Sequence, residues 1–188
     1  TLIILIIGCQ SSSKTNFDSL CQAFISWYYK FHPVEATRYG IPKDHGKFHL
    51  IGISENEEYI ADISRFIIEL SQIDATKLSS EDRIDYDILY SHLEKMKFIV
   101  NEIRPWEWNP MWILEEINQG LFLLSEIQDI TMEDRVKSIQ GRLQLIPVML
   151  NRSKEIMISY SPLHLIHGNT LINQIIRIID ELPLKLNS

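Results

Sequence analysis

Apolar residues recur every three or four positions along most of this chain, which is the spacing of one face of an α-helix. The first stripe is Phe17, Leu20, Phe24, Trp27 and Phe31, and further stripes begin at Tyr59, Ile84, Val136 and Ile166. No pair of alternating runs is joined by Asn-Gly or Asp-Gly, so β-hairpins are not indicated. The sequence predicts an all-α fold, an irregular array of about six to seven helices.

Polar residues at the expected helix starts give the boundaries. Four pairs place a capping residue three positions before an acidic one: Thr15 with Asp18, Ser54 with Glu57, Ser79 with Asp82, and Thr131 with Asp134. Proline at the first helical position predicts two more starts, at Asn109-Pro110 and Ser161-Pro162. Pro147 predicts a kink or an end in the helix that follows Thr131.

Two helices carry more isoleucine than one apolar stripe needs. In the helix after Ser79 we expect these residues to point inward: Ile84, Ile88, Leu89, Leu93, Met96, Val100 and Ile103. In the last helix we expect the same of Ile166, Ile172, Ile175, Ile176 and Ile179. Because Ile175, Ile176, Ile178 and Ile179 occupy two sides of that helix, we also expect an exposed apolar patch near it, extending to the tryptophans at positions 106–112.

The chain opens with six apolar residues, Leu2 to Ile7, followed by Gly8, Cys9 and a polar run. This stretch is too short to span a bilayer, which takes about 20 apolar residues. It is typical of a bacterial lipoprotein signal, in which cleavage frees a cysteine that carries lipid; the alternative is a coincidental apolar terminus. We predict a truncated signal at residues 1–8, lipidation of Cys9 with a flexible tether at residues 9–16, and a helical domain at residues 17–188. The predicted location is the bacterial cell envelope, lipid-anchored on the periplasmic or outer surface.

Composition describes a folded protein behind that tether. Of the 188 residues, 45% are hydrophobic and 23% are charged, which is unlike a disordered chain or a membrane bundle. The net charge is −7 and the 18 basic residues are scattered singly, so no basic stripe is available to bind nucleic acid. If Cys9 carries lipid, Cys21 has no partner for an internal disulfide and is predicted to be a small buried apolar residue.

Histidine spacing offers two weak candidates for a metal site. His45 and His49 have the four-residue spacing of a zinc helix, but Gly46 and Lys47 follow where a glutamate base would stand. His164 and His167 share a helix face without an acidic ligand nearby, and are predicted to cap the last helix or lie on its surface. The sequence therefore predicts no metal ligand and no cofactor in this chain.

Carboxylates and nucleophiles give no catalytic set either. Asp82 and Asp85 lie on one face of a predicted helix and Asp87 lies off it. Acidic residues near a helix start usually complement the helix dipole, so we interpret them as structural rather than as an acid–base pair. No glycine-rich phosphate loop, Gly-x-Ser-x-Gly elbow or cysteine with a nearby histidine is present.

Three of the four tryptophans gather in the segment RPWEWNPMW. We interpret Trp106, Trp108 and Trp112 first as a hydrophobic corner that joins two helices. The alternative is that these residues, with Asn109, line a ligand cleft.

Four motifs occur in an order that resembles the N-terminal half of the bacterial domain-of-unknown-function 885 family, many members of which are lipoproteins. The first is Pro33, Glu35, Ala36, Thr37 and Gly40; the second is Asp82, Arg83, Asp85, Asp87 and Leu89; the third is Asn109-Pro110; the fourth is Arg142-Leu143 with Ile146-Pro147. The resemblance covers nearly everything after residue 16. It implies one wall of a larger helical protein similar to gluzincin-type zinc metallopeptidases.

In that family the His-Glu-x-x-His zinc helix lies beyond the matched region, so no catalytic or metal residue is assigned here. The resemblance implies the N-terminal helical portion of a lipid-anchored, zinc-metallopeptidase-like hydrolase, with zinc in the full-length protein and the missing C-terminal half as a partner. This chain alone is then expected to be inactive. The alternative is a non-enzymatic helical envelope lipoprotein that binds a peptide or protein partner.

Overall fold

The computed structural model describes the backbone at residues 2–41, 44–50 and 52–186, and the side chains at residues 13–41, 44–50, 52 and 55–186. These residues form seven α-helices and no strand: α1 (Leu2–Phe31), α2 (Pro33–Arg38), α3 (Ile53–Ser71), α4 (Ser80–Phe98), α5 (Met111–Glu126), α6 (Met132–Ile156) and α7 (Pro162–Lys185). Short 3₁₀ turns occupy Ala75–Lys77 and Pro105–Glu107, and a π-helical turn occupies Ile99–Ile103. The predicted all-α fold is confirmed.

Three predicted helix starts are confirmed by their caps. The backbone N–H of Asp82 donates to Ser79 Oγ at 3.1 Å, and that of Asp134 donates to Thr131 Oγ1 at 3.1 Å. Ser161 and His164 form a capping box at the start of α7. The side chain of Ser54, another predicted capping residue, lies outside the described side chains.

One predicted boundary is wrong, and of the two outcomes predicted at Pro147 the helix end does not occur. Helix α1 begins at Leu2 rather than after Thr15, because no proline before residue 33 interrupts its backbone hydrogen bonds. Helix α6 runs on past Pro147 to Ile156. The backbone of residues 9–16, where we predicted a tether, lies in α1; the side chain of Cys9 is outside the described side chains, and its lipidation stays a prediction.

One compact unit comprises Thr1–Tyr28 and Asn56–Ile103. Its core is aromatic: the Trp27 ring stacks on Tyr59 with centroids 5.2 Å apart, and Phe24 meets Phe66 edge-on at 5.5 Å. The indole N–H of Trp27 donates to Asp62 Oδ2 at 2.7 Å, so the polar edge of this buried ring is satisfied. These contacts fix α1 against α3.

Helix α4 presents a different face to this core from the one we predicted. Leu89, Leu93, Met96 and Val100 are buried, but Ile84 is 60% exposed and Ile88 is 62% exposed. Successive helical residues are about 100° apart, so the stripe through Leu89 leaves Ile88 beside the core rather than in it. The expectation that Ile84, Ile88 and Ile103 point inward is wrong.

The second compact unit comprises Tyr29–Glu55 and Arg104–Ser188, with α5 at its centre. Helix α5 packs against α7, α6 and α2. Its inward stripe includes Ile117, Leu121 and Leu124, all essentially buried. This stripe positions the site described below.

Helix α7 buries only part of its apolar surface. Ile175 and Leu182 are buried, whereas Ile166, Ile172 and Ile176 are exposed, so the expectation that these three point inward is wrong. The seven-residue step from Ile175 to Leu182 follows the side that meets α5, and Ile176 lies about 100° away from Ile175 around the helix. Exposed apolar side chains are thus present on this helix, whereas Trp106, to which we expected the patch to extend, is buried.

Candidate functional site

A buried arginine joins four segments of the second unit. Arg142 lies on α6, and its side chain is fully buried. Its Nε donates to the carbonyl of Lys47 at 3.1 Å, and its Nη1 donates to the carbonyl of Gly120. Its Nη2 donates to the carbonyl of Pro33 at 3.3 Å and to Thr37 Oγ1 at 2.7 Å. Four of the five N–H groups of the guanidinium are thus engaged within the protein.

Thr37 and His45 complete this arrangement, which we call the arginine cluster: Pro33, Thr37, His45, Gly120 and Arg142. Thr37 Oγ1 lies 3.0 Å from His45 Nδ1 and also donates to the carbonyl of Pro33 at 3.0 Å. His45 is buried, and burial, together with the nearby Arg142 charge, lowers its pKa. A neutral imidazole therefore belongs to the folded state.

Glu116 is the acidic residue whose carboxyl group interacts with the charge of Arg142. It lies half-buried on α5, and burial raises its pKa to about 7, although the charge of Arg142 opposes the rise. Glu35 and Arg38 on α2 also act on this carboxyl group, with opposite signs. Burial lowers the pKa of Arg142 to about 10, so the guanidinium stays charged at neutral pH.

The predicted histidine pair does not form a joint site. His45 is hydrogen-bonded to Thr37, whereas the ring of His49 lies beside the rings of Phe31 and His32, with centroids 5.8 and 6.0 Å away. His164 accepts from the backbone N–H of Ser161 at 3.3 Å, as predicted for a capping histidine. His167 is exposed on α7.

The tryptophan segment divides into a buried corner and an exposed edge. Trp106 is buried and meets Trp112 edge-on at 6.0 Å, consistent with the corner interpretation. Trp108 is 40% exposed, and its ring lies on His164 at 5.8 Å. Asn109 Oδ1 accepts from the N–H of Met111 at 3.1 Å and so starts α5. A ligand cleft lined by these residues stays a prediction.

The predicted carboxylates have structural partners. Asp82 accepts from Lys14 Nζ at 2.7 Å and from Ser79 Oγ at 2.6 Å, and these two bonds lower its pKa. Asp87 pairs with Arg83 one helical turn away, and Asp85 is exposed. No acid–base pair is formed at this helix start.

The sequence profile of one bacterial family, described as "Bacterial protein of unknown function (DUF885)", matches residues 33–185. The chain belongs to the DUF885 family. The resemblance inferred from the four motifs is confirmed.

Among solved structures, this DUF885 chain is similar to "a putative lipoprotein of unknown function from Shewanella oneidensis". The two share 16% sequence identity with a TM-score of 0.74, and the match covers 91% of this chain and 36% of that one. The chain therefore spans about a third of the length of this neighbour. A comparison with the curated proteins found no match.

Within the DUF885 chain, residues of the first and fourth motifs meet at the arginine cluster. Pro33 and Thr37 come from the first motif and Arg142 from the fourth. The third motif starts α5, and Asp82 of the second accepts the capping hydroxyl of Ser79. Arg142 of the fourth motif donates to Pro33 and Thr37 of the first, so these motif residues hold α6 against α2.

Sequence reasoning did not anticipate the arginine cluster or Glu116. One signal was available: Arg142 stands at helical spacing between Ile139 and Ile146, on the apolar side of α6. A charged residue at such a position is buried only when it is paired or hydrogen-bonded. Its partners are mainly backbone carbonyls, which no sequence pattern reveals.

The described residues do not supply a metal centre or a bilayer span. Within residues 13–41, 44–50 and 55–186, no three His, Cys, Asp or Glu side chains are placed to hold a metal ion. In the same part of the chain, no helix combines the length and the apolarity needed to cross a membrane. The donor set found here therefore does not fit a zinc ion.

Proposed function

We propose that this chain is the N-terminal helical portion of a lipid-anchored, zinc-metallopeptidase-like hydrolase. In this proposal the helices build one wall of a cleft, and the catalytic zinc motif lies in another part of the longer protein. The observation that carries the proposal is the match to the fold of a longer solved protein, of which this chain spans about a third.

Two further observations support this assignment. The similar Shewanella protein is described as a lipoprotein, and this chain carries Cys9 after an apolar stretch with a small residue before it. The motif residues of this chain are occupied in holding helices together, as expected for a scaffold that positions chemistry located elsewhere. The proposed location is the bacterial cell envelope.

The experiment is to express the longest reading frame that contains this chain and to measure zinc and peptide hydrolysis. We expect one zinc per molecule and activity that is lost when the glutamate of the His-Glu-x-x-His motif is changed to glutamine. The 188-residue chain, purified without a tag, is the matched control and should hold no stoichiometric zinc. A reading frame that ends at Ser188, or a longer protein without zinc and activity, would contradict the proposal.

A non-enzymatic binding module is the second candidate, because α4 carries an open apolar groove. The groove has a volume of about 530 Å³ and is lined by Ile84, Asp87, Ile88, Ser91, His92 and Lys95. Two exposed isoleucines one helical turn apart, beside charges of both signs, suit an amphipathic peptide. Retention of a peptide library by the wild-type chain, and loss of that retention in Ile88→Asp, would favour this candidate.

A further inference from the structure

A run of 21 residues in the second unit carries no acidic residue, lysine or arginine. Between Glu155 and Arg177 there is no Asp, Glu, Lys or Arg, although 23% of the whole chain is charged. The run covers the end of α6, the connection to α7 and the first two thirds of α7. An amphipathic helix in contact with water normally carries charged residues on its solvent side, and α7 does not do so here.

Three exposed residues form a stripe along α7. Leu165 is 52% exposed, Ile172 is 43% exposed and Ile176 is 49% exposed. Their spacing of seven and four residues places them within about 40° of one another around the helix. Gly168 and Ile175, which are buried, lie on the neighbouring side that faces α5. The stripe is thus a second apolar side, next to the one that α5 already covers.

The connection between α6 and α7 carries further exposed apolar side chains. Ile158 is 77% exposed and Tyr160 is 59% exposed. The N–H groups of Ile158 and Ser159 both donate to the carbonyl of Glu107, at 2.7 and 3.1 Å, which holds the connection beside Trp108. We call the exposed stripe of α7 the uncharged face: Leu165, Ile172 and Ile176.

We propose that the uncharged face is the surface on which a further helical segment of the same longer polypeptide packs. This inference rests on the proposed function, since it requires a longer protein. Loss of charge marks the core of permanent interfaces, whereas transient partner surfaces resemble the rest of a protein's exterior. In the Shewanella neighbour, nearly two thirds of the chain lies outside the region matched here, so that fold is followed or preceded by enough polypeptide to cover such a surface.

A lipid surface is a poorer match to the same residues. Helices that lie in a membrane interface are rich in Lys and Arg on their polar side, because these residues bind anionic headgroups. The run from Ile156 to Ile176 has neither, and the chain as a whole has a net charge of −7. The composition therefore favours an apolar protein segment over a bilayer.

The test measures the accessibility of a cysteine on the uncharged face in the 188-residue chain and in the longer protein. Ile172→Cys is introduced after Cys9 and Cys21 have been changed to alanine, and the rate of maleimide labelling is measured. The matched control is Gln174→Cys, which is exposed and lies roughly 200° further around the helix. Ile176→Cys repeats the measurement at a second position of the face.

We expect labelling at residue 172 to be at least about tenfold slower in the longer protein, with the control rate unchanged, because packing restricts access to local opening. Equal rates at residues 172 and 176 in both proteins would overturn the inference while leaving a zinc-dependent activity, and so the proposed function, intact. Two other results would overturn the inference. If labelling of the 188-residue chain slows as its concentration rises, the face binds a second copy. If labelling slows when vesicles of neutral and anionic phospholipid are added, the face binds a membrane.

Discussion

The side chain of Arg142 on α6 is hydrogen-bonded to α2, to the segment before α3 and to α5. Replacing Arg142 by methionine removes all of these hydrogen bonds. Methionine keeps an unbranched apolar stem and has no polar hydrogen, so it fills the part of the space nearest α6 without supplying a donor. The acceptors left behind are the carbonyls of Pro33, Lys47 and Gly120 and the hydroxyl of Thr37. All four accept from the guanidinium in the folded protein.

The expected loss follows from these acceptors. A buried acceptor left without a donor costs about 1–3 kcal/mol, and the four together would cost about 4–12 kcal/mol. Two effects reduce this sum: the buried cation no longer has to be desolvated, and Thr37 keeps its contacts to Pro33 and His45. We expect a net loss of about 3–5 kcal/mol in the free energy of unfolding, which is the range for breaking one side of a buried charged pair.

The assay is urea unfolding followed by far-ultraviolet circular dichroism at pH 7. Arg83→Met is the matched control: Arg83 is exposed and pairs with Asp87, so its loss should change the free energy of unfolding by no more than about 0.5 kcal/mol. If Arg142→Met unfolds within about 1 kcal/mol of the wild type, the arginine cluster does not hold these segments together and the reasoning is refuted.

Three further changes test other parts of the molecule. Burial raises the pKa of Glu116 to about 7, above its unfolded value, so its stabilising contribution is complete below pH 4.5 and is lost as pH rises through 7. Glu116→Gln should therefore be up to about 3 kcal/mol more stable than the wild type at pH 8.5 and within about 0.3 kcal/mol of it at pH 4 by urea titration; a difference independent of pH would contradict this. A Cβ at Gly120 would overlap the Phe48 ring, whereas one at Gly168 meets its nearest neighbour at 3.5 Å. Gly120→Ala should thus cost about 1–3 kcal/mol in thermal unfolding while Gly168→Ala gains up to about 1 kcal/mol, and similar melting temperatures would argue against the close approach. Cys9→Ala should abolish labelling by a fatty-acid probe and release the protein from the membrane fraction; unchanged labelling would refute the lipid anchor.

The local parts of the fold could be predicted from the sequence. Helix starts at Ser79, Thr131 and Ser161 depend on a hydroxyl and a backbone N–H only two or three residues away, so their signal is contained in a short segment. The end of α2 at Gly40, with φ of +67°, is equally local because the left-handed region favours glycine.

The orientation of the helices could not be predicted in the same way. Helix α4 has two overlapping sets of apolar residues, one through Ile84 and Ile88 and the other through Leu89 and Leu93. Either set satisfies a helical period, so the sequence alone does not decide which set is buried. The structure buries Leu89 and Leu93, and His92 beside them meets Phe24 of α1. The same ambiguity affects α7, where the apolar pattern allows either Ile175 or Ile176 to face α5.

The arginine cluster could not be predicted from the sequence, because the residues that bind Arg142 are far from it along the chain. The acceptors at Pro33 and Lys47 are 109 and 95 residues away from Arg142 along the chain. Every residue has a backbone carbonyl, so the residue types at these positions do not identify them as partners of Arg142.

Because Arg142 binds mainly backbone carbonyls, few side chains around it have to be of a particular type for the fold to form. Of the four acceptors around Arg142, three are main-chain atoms, which any residue can supply as long as the backbone keeps its path. The identity of the side chain matters for the donor and for one hydroxyl, while residues such as Lys47 are free to diverge. A helical scaffold joined in this way can change many of its residues and keep its fold, and this chain shares its fold, with a TM-score of 0.74, with a chain of 16% identity.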